Sequence, residues 1–117
     1  MNITAEQFIQ ALADQTRLRL VMLLQQEGEM CVCELTYALD IIQPKISRHL
    51  ALLRSLSVLS SRRQGQWIYY QLQTDLPSWA VDVINSIQQG AKDTSPFLDD
   101  ASNLKNMPNR PVSACIV

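Results

Sequence analysis

From Met30 to Ser57 the chain reads MCVCELTYALDIIQPKISRHLALLRSLS. Two thiols open the stretch, a short helical pattern follows, a break falls at Ile42-Gln43-Pro44, and a second helical pattern runs on. In that second pattern Ile46, Leu50 and Leu53 recur at i, i+4 and i+7, the spacing of one buried stripe. Lys45, Ser47, Arg48 and His49, near the start of the same helix, fall off the stripe. Pro44 suits a first helical turn, where a missing N–H costs nothing. A helix, a turn and a second helix with a polar, basic N-terminal turn is the arrangement that sets side chains against base edges in a major groove. We read this stretch as the DNA-reading element and the two thiols ahead of it as its switch.

Upstream, Thr4 caps a helix running to about Ala13, and Asp14 caps another from Gln15 to about Gln26 that ends before Gly28. The second carries Leu18, Val21, Met22 and Leu24 to one side of Arg17 and Arg19. The helix containing Cys33, to about Asp40, is short enough to need packing to hold it. Downstream, residues 58–63 and 66–72 flank Gln64-Gly65 and predict a two-stranded hairpin. The expected fold is therefore mainly α with a β-hairpin wing, a winged helix-turn-helix. Arg62, Arg63, Gln64 and Gln66 stand at the wing tip, in reach of phosphates or a minor groove. A last helix from Pro77-Ser78 to about Gln89 carries Trp79, Ala80, Val83, Ile84 and Ile87. A single winged helix already has its core, so the first and last helices are expected to form a two-fold dimer interface. Residues 1–89 then make one DNA-binding and dimerisation domain. From Gly90 the composition turns to Asp, Asn, Ser and Pro without a period, which predicts a flexible tail over 90–117.

At 117 residues and 47% apolar composition the chain suits one domain with a real core. No apolar run approaches the ~18 residues of a spanning helix, and MNITAEQF lacks the order of a signal peptide. A cytoplasmic location and free or ligating cysteines, rather than disulfides, are expected. The net charge of −1 argues against a nucleic-acid partner until its distribution is considered. Residues 41–74 hold no Asp or Glu but five cations, Lys45, Arg48, Arg54, Arg62 and Arg63, leaving the rest of the chain at −6. A basic block in an acidic chain is a local footprint for phosphate. A thiol enzyme would need a thiolate activated by cations or a loop of backbone N–H groups. CVCELTY has no glycine and no adjacent cation, so no enzyme is expected.

CVCEL, QPKISRHLALLR and RRQGQWIYYQL, with ALADQTRLRLVMLL upstream, resemble the arsenic-responsive repressors of the ArsR family of bacterial winged-helix metalloregulators. The likeness spans about residues 5–89. It implies a homodimer that sits on double-stranded operator DNA and releases it when As(III) or Sb(III) binds cysteine sulfur, with no obligatory cofactor. By that match Gln43, Lys45, Ser47, Arg48 and His49 lie in the recognition helix, and Cys31 and Cys33 in the inducer site. Members with this motif often carry a third cysteine three residues after the second, where this chain has Thr36. A hydroxyl replaces thiolate poorly on a soft ion. The third position is open to Cys115, from either subunit, or to a water, a small thiol or a methyl group on the arsenic. The methyl group would favour methylated arsenicals. Other soft metals (Cd, Pb, Zn) and thiol oxidation are the alternative signals, and a thiol enzyme such as an arsenate reductase is the least favoured reading. Zinc normally asks for four ligands including histidine, and the one histidine is placed on the DNA side.

In a regular helix residues i and i+2 do not face each other, whereas in a strand they do. Ligation by both Cys31 and Cys33 is therefore expected to require Met30–Cys33 to be extended, or the first turn of the next helix to unwind.

Overall fold

The computed structural model describes residues 3–110 of the chain. Helix α1 (Ala5–Leu12) opens with a reciprocal cap: the Thr4 hydroxyl accepts the Gln7 N–H at 3.1 Å, and the Gln7 side chain accepts the Thr4 N–H at 3.0 Å. Asp14 starts α2 (Gln15–Glu27) by accepting the Arg17 N–H at 3.0 Å. Arg17 reaches back to the end of α1, donating to the carbonyls of Ala11 at 2.8 Å and Gln10 at 3.3 Å. Carbonyls that α1 cannot satisfy internally are met this way, and the two helices are locked at their corner.

Helix α2 is more deeply enclosed than a one-sided apolar stripe implies. Leu20, Val21, Met22, Leu23 and Leu24 are consecutive and all buried, so neighbours close over most of its circumference. Gly28, at φ 81°, turns the chain out of α2 into β1 (Met30–Cys31). Helix α3 (Val32–Leu39) follows at once. Asp40 stops it in the left-handed conformation (φ 55°, ψ 47°), which short polar side chains tolerate. Ile41 and Ile42 complete the turn into α4 (Gln43–Ser55), with Pro44 in the first turn as expected. Ile46, Leu50 and Leu53 are fully buried, as their spacing predicts.

Strands β2 (Leu59–Gln64) and β3 (Trp67–Leu72) form the hairpin, in register from Gln64 opposite Trp67 to Leu59 opposite Leu72. Gly65 occupies the first of two loop positions with φ 61°, a conformation that costs glycine little. Helix α5 (Ser78–Ala91) lays Ala80 and Ile84 into the core and sets Trp79 edge-on against Phe8 of α1, with centroids 5.4 Å apart. Among the described residues the fold is thus helical with a wing, the winged helix-turn-helix that the sequence predicts.

Two features depart from expectation. Met30 and Cys31 pair with Tyr70 and Tyr69, so β3 is the centre of a three-stranded antiparallel sheet in the order β1-β3-β2. The expected unstructured tail is corrected over part of its length, because Phe97–Lys105 forms a sixth helix, α6. Leu104 is buried in the core, and Asp100 receives two hydrogen bonds from Arg19 of α2, at 2.9 and 2.7 Å. Asn103 also donates to the Ala38 carbonyl of α3 at 3.0 Å. An ion pair between a largely buried guanidinium and a buried carboxylate, backed by an apolar anchor, holds this segment where composition alone predicts none.

Candidate nucleic-acid interface and sulfur site

Cys31 is the N-cap of α3, with extended backbone (φ −80°, ψ 159°), and Val32 is the first helical residue. Glu34, one turn in, accepts the Cys31 N–H at 3.0 Å and is itself almost completely buried. Its other oxygen accepts from Arg110 at 2.5 Å, and Arg110 also stands 3.7 Å from Glu27. In this setting the sulfurs of Cys31 and Cys33 meet and are joined as a disulfide, with their Cα atoms 5.4 Å apart, which corrects the expectation of free or ligating thiols for this pair. The expectation that the two sulfurs converge only if Val32 leaves the helix is therefore corrected. The N-cap residue keeps non-helical backbone angles, here extended, so its side chain can turn over the first turn towards the residue two positions on. Cys31 is fully buried and Cys33 half-buried. Cys115 lies outside the described residues.

The sulfur pair borders the DNA-reading parts. An open groove of about 680 Å³ runs beside α3, lined by Cys33 and Thr36 of α3, Gln43 and Ser47 of α4, and Gln66 and Trp67 of the wing. The hydroxyl oxygen of Thr36 is buried and has no hydrogen-bond partner among the described residues. Cys31 itself pairs with Tyr69 in the central strand of the wing. Glu34 and the groove's Trp67 escaped sequence reading, and Thr36 was read there only as the position that lacks a third cysteine. For Glu34 the signal was present, since an acid three residues after a cap position is half of a capping box.

The expected DNA contacts divide into two groups. Gln43, Lys45 and Arg48 of α4 and Arg63, Gln64 and Gln66 of the wing are exposed. Ser47 and His49 are half-buried. His49 lies near enough to Asp14 to act on its charge: the Asp14 carboxyl is held below the usual carboxylate range chiefly by the Arg17 N–H, with His49 adding to the effect. Arg62 is engaged within the chain. Its guanidinium donates to both Glu29 oxygens, at 2.7 and 2.6 Å, reaches Gln64 at 2.9 Å and lies 4.6 Å from the centre of the Tyr69 ring. Arg54 reaches Ser61 at 3.1 Å, tying α4 to β2. Two of the five cations in the acid-free block thus brace the wing, and Lys45, Arg48 and Arg63 face outward.

Comparison with known proteins matches this architecture. Residues 14–61, the span from the α2 cap into the first wing strand, match the family model described as "Bacterial regulatory protein, arsR family". The chain is 48% identical over 110 residues to the arsenic resistance transcriptional regulator ArsR2 of Pseudomonas putida, covering 94% of this chain and 94% of that protein. The chain belongs to the arsR family. A second relative, the arsenical resistance operon repressor of Escherichia coli, is 53% identical over 79 residues, 68% of each chain. Among solved structures, the transcriptional repressor BigR of Xylella fastidiosa superposes with a TM-score of 0.62 at 30% identity, over 72% of this chain and 82% of that one. HlyU of Vibrio cholerae gives 0.64 at 26% identity, over 71% and 86%. As a member of the arsR family the protein is a DNA-binding transcriptional repressor and not an enzyme. No helix among its described residues is long and apolar enough to cross a membrane.

Proposed function

We propose that this arsR-family protein is a homodimeric repressor that leaves its operator when trivalent arsenic or antimony is bound by Cys31 and Cys33. The observation that carries this reading is the meeting of the two sulfurs at the α3 N-cap, beside both α4 and the wing. Two close relatives bear names that tie them to arsenic resistance, and soft thiolates select such ions. The third position on the ion is left open by these two sulfurs, to Cys115 or to an oxygen, a small thiol or a methyl group.

Gln43, Lys45, Ser47, Arg48 and His49 are assigned to the major groove, and Arg63, Gln64 and Gln66 to the backbone or minor groove. Arg62 joins them only by giving up Glu29. Ligation acts on DNA through position. Any movement of Cys31 is felt by Tyr69 across the sheet and by α4 through α3. Release follows if the ligated dimer no longer spans successive major grooves, about 34 Å apart. The ion must prefer that released shape, since equal affinity for both shapes shifts nothing.

Gel-shift titration with a two-fold-symmetric operator tests the assignment. Arsenite should dissociate the wild-type complex, whereas Cys31→Ser and Cys33→Ser should bind DNA normally and fail to release it. A normal arsenite response in both variants would remove the sensor reading. In the same assay Arg48→Ala should weaken binding, by about 1–3 kcal/mol if it reads a base edge. Unchanged affinity would move the reading face elsewhere. A second reading, thiol redox sensing, is favoured by the joined state of Cys31 and Cys33. It expects oxidised and reduced protein to differ in operator affinity with no arsenic present.

A further inference from the structure

We propose that Thr36 is a specificity residue of the sulfur site. Its hydroxyl holds, by hydrogen bond, the one hydroxide that arsenite keeps after Cys31 and Cys33 have displaced the other two. The inference rests on the arsenic-sensing reading above and concerns the position that two sulfurs leave open.

Three observations converge on Thr36. It lies three residues after Cys33 in α3, and side chains at that spacing are neighbours on one helix face. Both residues line the same groove, whose nearby walls include Val32, Trp67 and Ile68. Its Oγ1 is the one buried side-chain oxygen or nitrogen lacking a partner among the described residues. A helical threonine ordinarily relieves such a hydroxyl by bonding the carbonyl four residues back. Here it does not, and a buried polar atom without a partner calls for an explanation. A hydroxyl both donates and accepts, which suits an As–OH group that does the same.

The chemistry balances without any change in the oxidation state of arsenic. The joined pair is first opened by two equivalents of a small-molecule thiol, which together supply two electrons and two protons and leave as one disulfide. Two As–O bonds of arsenous acid then break and two As–S bonds form, each cysteine proton leaving with a hydroxide as water. One As–OH remains, and Thr36 pairs with it as a hydrogen-bonding partner, not as a ligand. Methylarsenite behaves differently, because two thiolates replace both of its hydroxides and a methyl group occupies the third valence. Thr36 therefore contributes to arsenite binding and not to methylarsenite binding.

Thr36→Val removes the hydroxyl and keeps the shape. Because that hydroxyl has no internal partner, the variant should melt at or slightly above the wild-type temperature and bind operator equally well. Operator release is followed by fluorescence anisotropy under a phosphine reductant, which leaves no competing thiol. The arsenite concentration for half-release should rise about fivefold to tenfold, the loss of one hydrogen bond, while that for methylarsenite stays at the wild-type value. X-ray absorption at the arsenic edge should count two sulfurs and one oxygen in the wild type, and three sulfurs in Thr36→Cys. An unchanged arsenite response in Thr36→Val would overturn the proposal, and so would a third sulfur in the wild type that disappears in Cys115→Ser. Neither result touches the parent reading, which falls only if Cys31→Ser and Cys33→Ser still respond.

Discussion

Asp14 shows how much one side chain can do at a corner of this fold. Its carboxylate accepts the Arg17 N–H and so begins α2, while Arg17 closes α1 behind it. Asp14→Ala should cost about 1 kcal/mol, the usual value for a lost N-cap, read from the urea midpoint. The pH dependence has a definite sign. The folded carboxyl lies below its ordinary 3.8, so its contribution is complete above that value and is lost as pH falls through the folded one. Asp14→Asn keeps the cap without titrating, so its stability should fall less steeply than the wild type's below pH 3.8. Parallel acid limbs for the two proteins would show that Asp14 carries no part of that slope. Glu34 works at the same scale on the sulfur site, where its two oxygens serve the Cys31 N–H and Arg110.

At the scale of the element, α6 is held by a concentrated set of contacts. Arg19 and Asp100 are exposed by only 14% and 3% at the side chain, so neither charge is well solvated once its partner is removed. Asp100 in turn holds the Arg19 guanidinium more firmly charged than usual. Breaking such a pair by deleting one member costs about 3 kcal/mol while the other stays buried. A nine-residue helix at the end of the described chain has a cheaper course, which is to undock and rehydrate the carboxylate. Arg19→Ala should therefore release α6, seen as fast amide exchange over residues 97–105, while the α2 amides stay protected. Exchange at the wild-type rate would mean that Leu104 and Asn103 suffice to hold the helix.

At the scale of the molecule, the face made by α1 and α5 is only partly used by the monomer. Ala80 and Ile84 are buried, but Ile9 is 55% exposed and Trp79 39%. We assign this face to the second subunit of the dimer. Ile9→Glu would place an unpaired charge in that contact. It should shift the protein to monomer at micromolar concentration and weaken operator binding by at least about tenfold, since about 1.4 kcal/mol is a factor of ten. An unchanged dimer in analytical ultracentrifugation would place the interface elsewhere.

Local chemistry along the chain determined most of the architecture: the caps at Thr4 and Asp14, the Ile46-Leu50-Leu53 stripe, Pro44 in its first turn and the Gly65 hairpin each depend on neighbours within a few residues. The ends of α6 were also written locally, with Asp99 and Asp100 in the first turn and Lys105 in the last, matching the helix dipole. Its existence was not legible, because its chief attachments, Arg19 and Ala38, lie 81 and 65 residues away. The two-residue strand β1 is too short to show a period, and only its pairing with β3 makes it a strand. Arg62 reads as a free wing-tip cation until Glu29, 33 residues earlier, is seen to bind it. Residue types and spacing named Cys31 and Cys33 as a pair. That their sulfurs meet without unwinding α3 was decided by the fold, because whether Cys31 belongs to the helix or caps it depends on the strand across from it.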